Sequence, residues 1–181
     1  MAINSVKPFE LLSEYERLSL KHTVKIEQVK IKDQWSGVGF KVDETYYALA
    51  IDKIVEVLIL TDTTKIPGIA SWVLGLGNIR GNLIPVIDLK SYLFQKATKT
   101  TAHTRMVVIQ QAGGQVGLVV DEVFGQKHFT KEHVHNDDNG SEEESPLKYV
   151  EVAYNQEDVI WNVFEDELLI NDPSFKNAAA I

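Results

Sequence analysis

"GVGFKVDETYYALAIDKIVEV", Gly37 to Val57, lies without a gap over "MVVIQQAGGQVGLVVDEVFGQ", Met106 to Gln126. Val38 falls on Val107, Phe40 on Ile109, Leu49 on Leu118, Ile51 on Val120, Asp52 on Asp121 and Ile54 on Val123. Each copy is a run of strand-forming residues reversed by a short turn, the pattern of a β-hairpin. "DET" turns the first, and "AGG", where Gly113 and Gly114 accept positive φ, turns the second. Farther on, "NLIPVIDLKSYL" from Asn82 resembles "DVIWNVFEDELL" from Asp158. The larger offset is taken up in "HNDDNGSEEESP", a polar, acidic loop. The duplication predicts a mainly β chain of two pseudo-symmetric five-stranded β-barrel subdomains, because each copy is too short to enclose a core unless its sheet closes on itself.

The segment ahead of the repeat has a different texture. Pro8 opens a helical pattern in which Leu11, Tyr15, Leu18 and His22 form one apolar stripe, so residues 1–34 read as an N-terminal helix and connector. Residues 35–170 read as the paired β subdomains with a short helix at their end, and 171–181 as a C-terminal tail.

With 26 Asp+Glu against 18 Lys+Arg, the formal net charge is -8, and the bases are not clustered, which argues against a nucleic-acid partner. The absence of cysteine excludes disulfides and thiolate chemistry and suits a cytoplasmic setting. The most apolar stretch, Tyr46 to Leu60, is broken by Asp52, Lys53 and Glu56, so no membrane insertion is expected.

Gly75, Gly77 and Gly81 invite a small-molecule or nucleotide-binding enzyme as the alternative function. A phosphate cradle needs a helix directly after its glycines, however, and "NLIPVIDL" is a β-branched run containing Pro85. The glycines read better as turn-shaping and close-packing positions. In "IRGN" a tight reversal lifts Arg80 off the sheet, where it either pairs with an acid of its own chain or offers its planar fork to a partner. His128, His133 and His135, with Asp137 and Asp138, have no common zinc spacing, and no metal or cofactor is expected. "TKEHV" reads as a short polar helix instead. The equivalent places of Asp52 and Asp121 favour one repeated structural task, such as bonding backbone amides at a strand end, over acid–base chemistry. "GIASW" lacks the second glycine of a nucleophile elbow, and no catalytic residues are assigned. Trp35, Trp72 and Trp161, with Tyr46 and Tyr47, read as barrel core rather than as a platform for bases.

Glu56, Pro67, "GLGNIRGNLIPVIDL" and "VGLVVDEV", in that order, give the chain a resemblance to the CheW family of chemosensory adaptors. It runs from about Val38 to Leu169 and is most specific between Pro67 and Leu89. "PFELLSEYERLS" and "IPGIASWVLGLGNIRG" are similar to the branch serving type IV pilus twitching motility more than to the flagellar one. The resemblance implies two intertwined β subdomains and a non-catalytic bridge between the cytoplasmic tip of a methyl-accepting chemoreceptor and the regulatory domain of a CheA-type histidine kinase. It also implies recruitment to membrane-bound receptor arrays, with self-association there left open. Carried over by motif, Asn78, Arg80 and Gly81 form a turn needed for coupling, and Ile54 and Glu56 lie on a strand at the receptor groove. Leu83 and Met106 take apolar groove positions or core positions, since one step of register decides which face each occupies.

Overall fold

The computed structural model describes residues 34–111, 113–135 and 146–178. The helix read from Leu11, Tyr15, Leu18 and His22 lies outside the described residues, as do Asp137 and Asp138. Twelve strands follow in chain order: β1 (Gln34–Val42), β2 (Thr45–Ala50), β3 (Ile54–Ile59), β4 (Thr63–Thr64), β5 (Val73–Ile79), β6 (Asn82–Asp88), β7 (Arg105–Gln111), β8 (Gly114–Val120), β9 (Glu122–Thr130), β10 (Val134–His135), β11 (Val150–Gln156) and β12 (Val159–Phe164). Three short helices complete it: α1 (Leu89–Phe94), α2 (Asp166–Asn171) and α3 (Pro173–Lys176).

The strands form two six-stranded sheets, ordered β10-β11-β12-β2-β1-β9 and β3-β7-β8-β6-β5-β4. Read from its other edge, the second sheet carries in each place the strand six numbers removed from its counterpart in the first. The copies are intertwined by exchange: β3 of the first copy pairs with β7 of the second, and β9 of the second pairs with β1 of the first. Each exchanged strand bulges at the same point of the repeat, between Ile54 and Glu56 on β3 and between Val123 and Gly125 on β9. Both hairpins stand where the sequence put them, the first turning at Asp43 (φ 55°) and the second entering β8 through Gly114 (φ 128°).

The expected closed, five-stranded barrels are not present. Each sheet has six strands and remains open, because β4 and β10 are only two residues long and the outer strands at the two edges of each sheet do not pair with each other. The partner that each short copy needs comes from the other copy rather than from closure on itself.

Alternation along each strand sorts the core into three parts. Between the sheets, Phe40, Tyr47 and Leu49 of one meet Val107, Ile109 and Leu118 of the other. On the far face of the β3–β8 sheet lies an all-aliphatic cluster of Ile79, Ile84, Val86, Val108 and Val119 around Met106. On the far face of the other sheet, Trp161, Phe129 and Ala48 gather Trp35, Tyr46 and Tyr154. Each large side chain fully removed from water contributes about 1.5–3 kcal/mol.

Residues 171–178, set apart as a tail on sequence, belong to this body. Phe175 stacks on Trp72 at 5.3 Å, and Ala70 N donates to Ala178 O at 2.7 Å. The shared task expected of Asp52 and Asp121 also fails. Asp121 Oδ2 accepts from Asp43 N at 2.7 Å and from Lys90 at 3.2 Å, whereas Asp52 is exposed in a 3-10 turn and its carboxylate has no hydrogen bond among the described residues. Among the described residues no helix is long and apolar enough to cross a membrane.

Candidate functional site

Gly75 and Gly77 sit in strand β5 rather than in a loop. A Cβ on Gly75 would strike the carbonyl oxygen of Thr64, and one on Gly77 would come 2.9 Å from Val86 Cγ2, so both serve close packing. The β5–β6 turn and then β6 follow, so among the described residues no helix begins directly after these glycines. The nucleotide alternative therefore lacks the geometry it requires.

The β5–β6 turn is Arg80–Gly81, with φ 51° and 91°, the left-handed pair of a tight two-residue hairpin. Asn78 Oδ1 accepts from Gly81 N at 2.9 Å and pins the turn. Arg80 is thereby thrown outward, its side chain 80% exposed, yet its Nη2 lies 2.8 Å from Oε2 of Glu56, whose side chain is only 16% exposed. The contact is an ion pair and not an aligned hydrogen bond: Oε2 is covered, and no N–H among the described residues points at it. Glu56 is on β3, four strands away from β5 in the sheet order. The open sheet is therefore curled until edge strand β3 faces the β5–β6 tip, and the ion pair spans a gap that backbone hydrogen bonds would fill in a closed barrel.

A depression of about 210 Å³ lies there, lined by Val55, Glu56, Ile79, Arg80, Asn82 and Gln115. Around it the outward positions of β3 are apolar: Val55, Val57 and, most of all, Ile59, which is 72% exposed. Leu83, just past the turn, is 69% exposed. Ile54 is half-buried and packs on the central core. Met106 is fully buried, its sulfur near Gly117, so it supports the sheet from beneath and cannot touch a partner. The structure thus brings Glu56, Asn78, Arg80, Gly81 and Leu83 to one end of the sheet and leaves Met106 in the core. Sequence reading missed Val55, Val57, Ile59 and Gln115. β3 alternates half-buried and exposed residues, and its place at the sheet edge, which pairing decides, leaves Val55, Val57 and Ile59 uncovered.

His128 and His133 are separately engaged. Ser36 Oγ lies 2.8 Å from His128 Nδ1, and His133 closes a capping box with Thr130 over a 3-10 turn, Lys131–His133, where the polar helix was expected. Among the described residues no cluster of His, Asp and Glu has the geometry to hold a metal ion.

The CheW-like domain family model matches residues 36–172. Protein PilI of Pseudomonas aeruginosa is 29% identical over 178 residues, covering 95% of this chain and 96% of that protein. Chemotaxis protein CheW of Bacillus subtilis is 24% identical over 82% of this chain and 95% of its own length. The crystal structure of the scaffolding protein TtCheW from Thermoanaerobacter tengcongensis superposes with a TM-score of 0.63 at 25% identity, covering 72% of this chain and 84% of that one. With the duplicated, strand-exchanged sheets and the family match over most of its length, the chain belongs to the CheW-like domain family.

Proposed function

We propose that this protein is a non-catalytic adaptor that couples the cytoplasmic tip of a methyl-accepting chemoreceptor to the regulatory domain of a CheA-type histidine kinase, in a system controlling type IV pilus twitching motility. The pilus assignment is supported by the near full-length similarity to PilI. It works in the cytoplasm and is recruited to membrane-bound receptor arrays.

The observation that carries the reading is the state of Arg80. A guanidinium held out on a strained turn, next to a covered carboxylate with no aligned donor, is poised to exchange its own-chain partner for another protein. The exchange costs little on the arginine side, because Arg80 is largely in water already and a solvent-screened pair stabilises a fold by only about 0.2–1 kcal/mol. Val55, Ile59 and Leu83 supply the apolar area for binding, and Glu56 and Arg80 set register and partner choice. Asn78 and Gly81 keep the turn in shape, and Ile54 and Met106 hold β3 and β7 in place behind it. An adaptor transmits a signal only if these contacts differ between kinase states, so that receptor binding biases the kinase equilibrium.

The test is a pull-down of a receptor cytoplasmic tip and a CheA-type regulatory domain, alone and together, with the wild-type chain and Arg80→Ala. The variant is expected to stay folded by circular dichroism while the three-component complex weakens at least tenfold. Full assembly and unchanged kinase control with Arg80→Ala would overturn the reading.

A further inference from the structure

The sheet built from β1, β2 and β9–β12 has a turn, between β11 and β12, in the place of Arg80–Gly81. The parallel pairings fix the equivalence: Val163 lies opposite Ala48 as Val86 lies opposite Gly117, so Glu157 and Asp158 stand where Arg80 and Gly81 stand. Both acids are held at positive φ, 54° and 62°, and Asp158 occupies the position the other copy gives to glycine. Ile160 corresponds to Leu83 and is likewise exposed, at 42%. Beside this turn opens a cleft of about 540 Å³, with Tyr46, Phe94, Leu147 and Ile160 among its lining and Glu44 and Asp158 at its rim. The volume accommodates one or two large side chains.

The charge around the cleft selects its occupant. Glu157 and Asp158 have no ion pair among the described residues, and Glu44, almost fully exposed, is met only by Lys41 at 3.2 Å. The neighbouring Lys96 is held by Asp43 at 2.9 Å. Glu44, Glu157 and Asp158, offset only by the Lys41 ammonium that pairs with Glu44, leave a net negative rim that repels an anion and attracts a cation, while the aromatic and aliphatic lining rewards an apolar side chain. The rim charges then fix orientation and the lining supplies affinity, the division seen where peptide segments dock on proteins.

We propose that this cleft, at the end of the molecule equivalent to the Arg80 site but opposite to it in charge, docks a partner segment that presents one large apolar side chain flanked by lysines or arginines. This inference does not depend on the receptor and kinase reading.

The probe is a fluorescein-labelled, amidated peptide of seven residues with a central phenylalanine between two lysine pairs, titrated into the full chain by anisotropy and followed by amide NMR. Saturable binding is expected, with shifts concentrated at Tyr46, Ile160 and Asn162. Ile160→Ser and, independently, Asp158→Lys should each weaken it at least fivefold, whereas Arg80→Ala leaves it unchanged. Equal binding of a peptide with serine at its centre would reduce the effect to charge alone and overturn the proposal. So would shifts placed elsewhere, or wild-type affinity in both folded cleft variants. Shifts at the cleft on raising the protein concentration without peptide would overturn it in favour of a second copy of this chain.

Discussion

Both sheets curl without closing, and they fill the remaining gap with opposite chemistry. In the β3–β8 sheet, edge strand β3 sends Glu56 to meet Arg80 at the β5–β6 turn. In the other sheet, edge strand β9 sends Phe129 to stack on Tyr154 of β11 at 4.8 Å, and Phe124 meets Trp161 of β12 edge-on at 5.8 Å. The position that holds Glu56 in one copy is Gly125 in the other. Gly125 pairs with Gly39, where an added Cβ would lie 2.5 Å from Trp161 Cζ3. Glycine at position 39 leaves room for the indole ring of Trp161, whereas Gly125 takes the positive φ of 76° with open space around it. One gap is thus sealed by apolar mass, which does not open cheaply, and the other by an exposed ion pair, which does. The two ends of one duplicated design thus differ in how firmly each gap is held.

The largest effect that separates the ends comes from Trp161. Its ring touches Tyr46, Phe124 and Phe129 and lies under the Lys127 ammonium, so Trp161→Ala should cost about 3–5 kcal/mol in urea unfolding. Ile84 holds the equivalent place in the aliphatic cluster, and Ile84→Ala should cost less, about 2–3 kcal/mol. Equal costs would mean that the aromatic seal is no stronger than its counterpart.

Helix capping differs in the same direction as a second test. Asp88, buried ahead of α1, accepts from Ser91 N, Thr98 N and Thr98 Oγ1 at 3.0, 2.8 and 2.7 Å. Its counterpart ahead of α2 is Glu165, which makes no side-chain cap bond. Asp88→Ala leaves buried donors unmet and should cost about 2–3 kcal/mol, whereas Glu165→Ala should change stability by less than about 0.5 kcal/mol, both read from denaturation midpoints.

How much of this was legible in the sequence follows from which features are local. The two hairpins were readable because strand alternation and turn residues lie within twenty residues of each other. The exchange of β3 and β9 was not, since nothing in either strand says which hairpin it will edge; packing across the two sheets decides that. The textual overlay of "NLIPVIDLKSYL" on "DVIWNVFEDELL" was one residue off, because matching apolar letters ignores the pairing with β2 and β8 that sets true register. That single step hid the correspondence between Arg80 and Glu157. Arg80 itself was readable as a turn residue, and both of its alternatives were physically sound. Its pairing with Glu56 depends on how far the sheet curls, a tertiary quantity with no local signature.

The C-terminal clasp gives a pH-dependent test. Burial alone would raise the Asp172 carboxyl, but Lys148 Nζ at 2.8 Å, Tyr149 OH at 2.7 Å and Ser174 N at 2.7 Å hold it well below its usual 3.8. A carboxylate with a depressed folded pKa contributes stability that is present above its unfolded value and lost as pH falls through the folded one. Asp172→Asn should therefore cost about 1–2 kcal/mol at pH 7, and progressively less as pH drops below about 4. A difference between wild type and variant that stays constant down to pH 2 would show that the clasp is held by Phe175 and Trp72 packing alone.

The smallest effect on stability belongs to the pair proposed above to set register and partner choice. Arg80 is largely in water, so Arg80→Ala removes a weak attraction and should lower stability by about 0.5 kcal/mol, near the resolution of a urea titration. Glu56→Gln goes further toward the buried side: it removes the charge from a covered oxygen that lacks an aligned donor, and should be neutral or slightly stabilising. A double-mutant cycle isolates the coupling between the two residues, expected below about 1 kcal/mol in the free protein. A much larger coupling would mean that the ion pair locks the gap as firmly as the aromatic rings lock the other one. The two ends would then both be structural, and Arg80 would not be free to trade Glu56 for a partner.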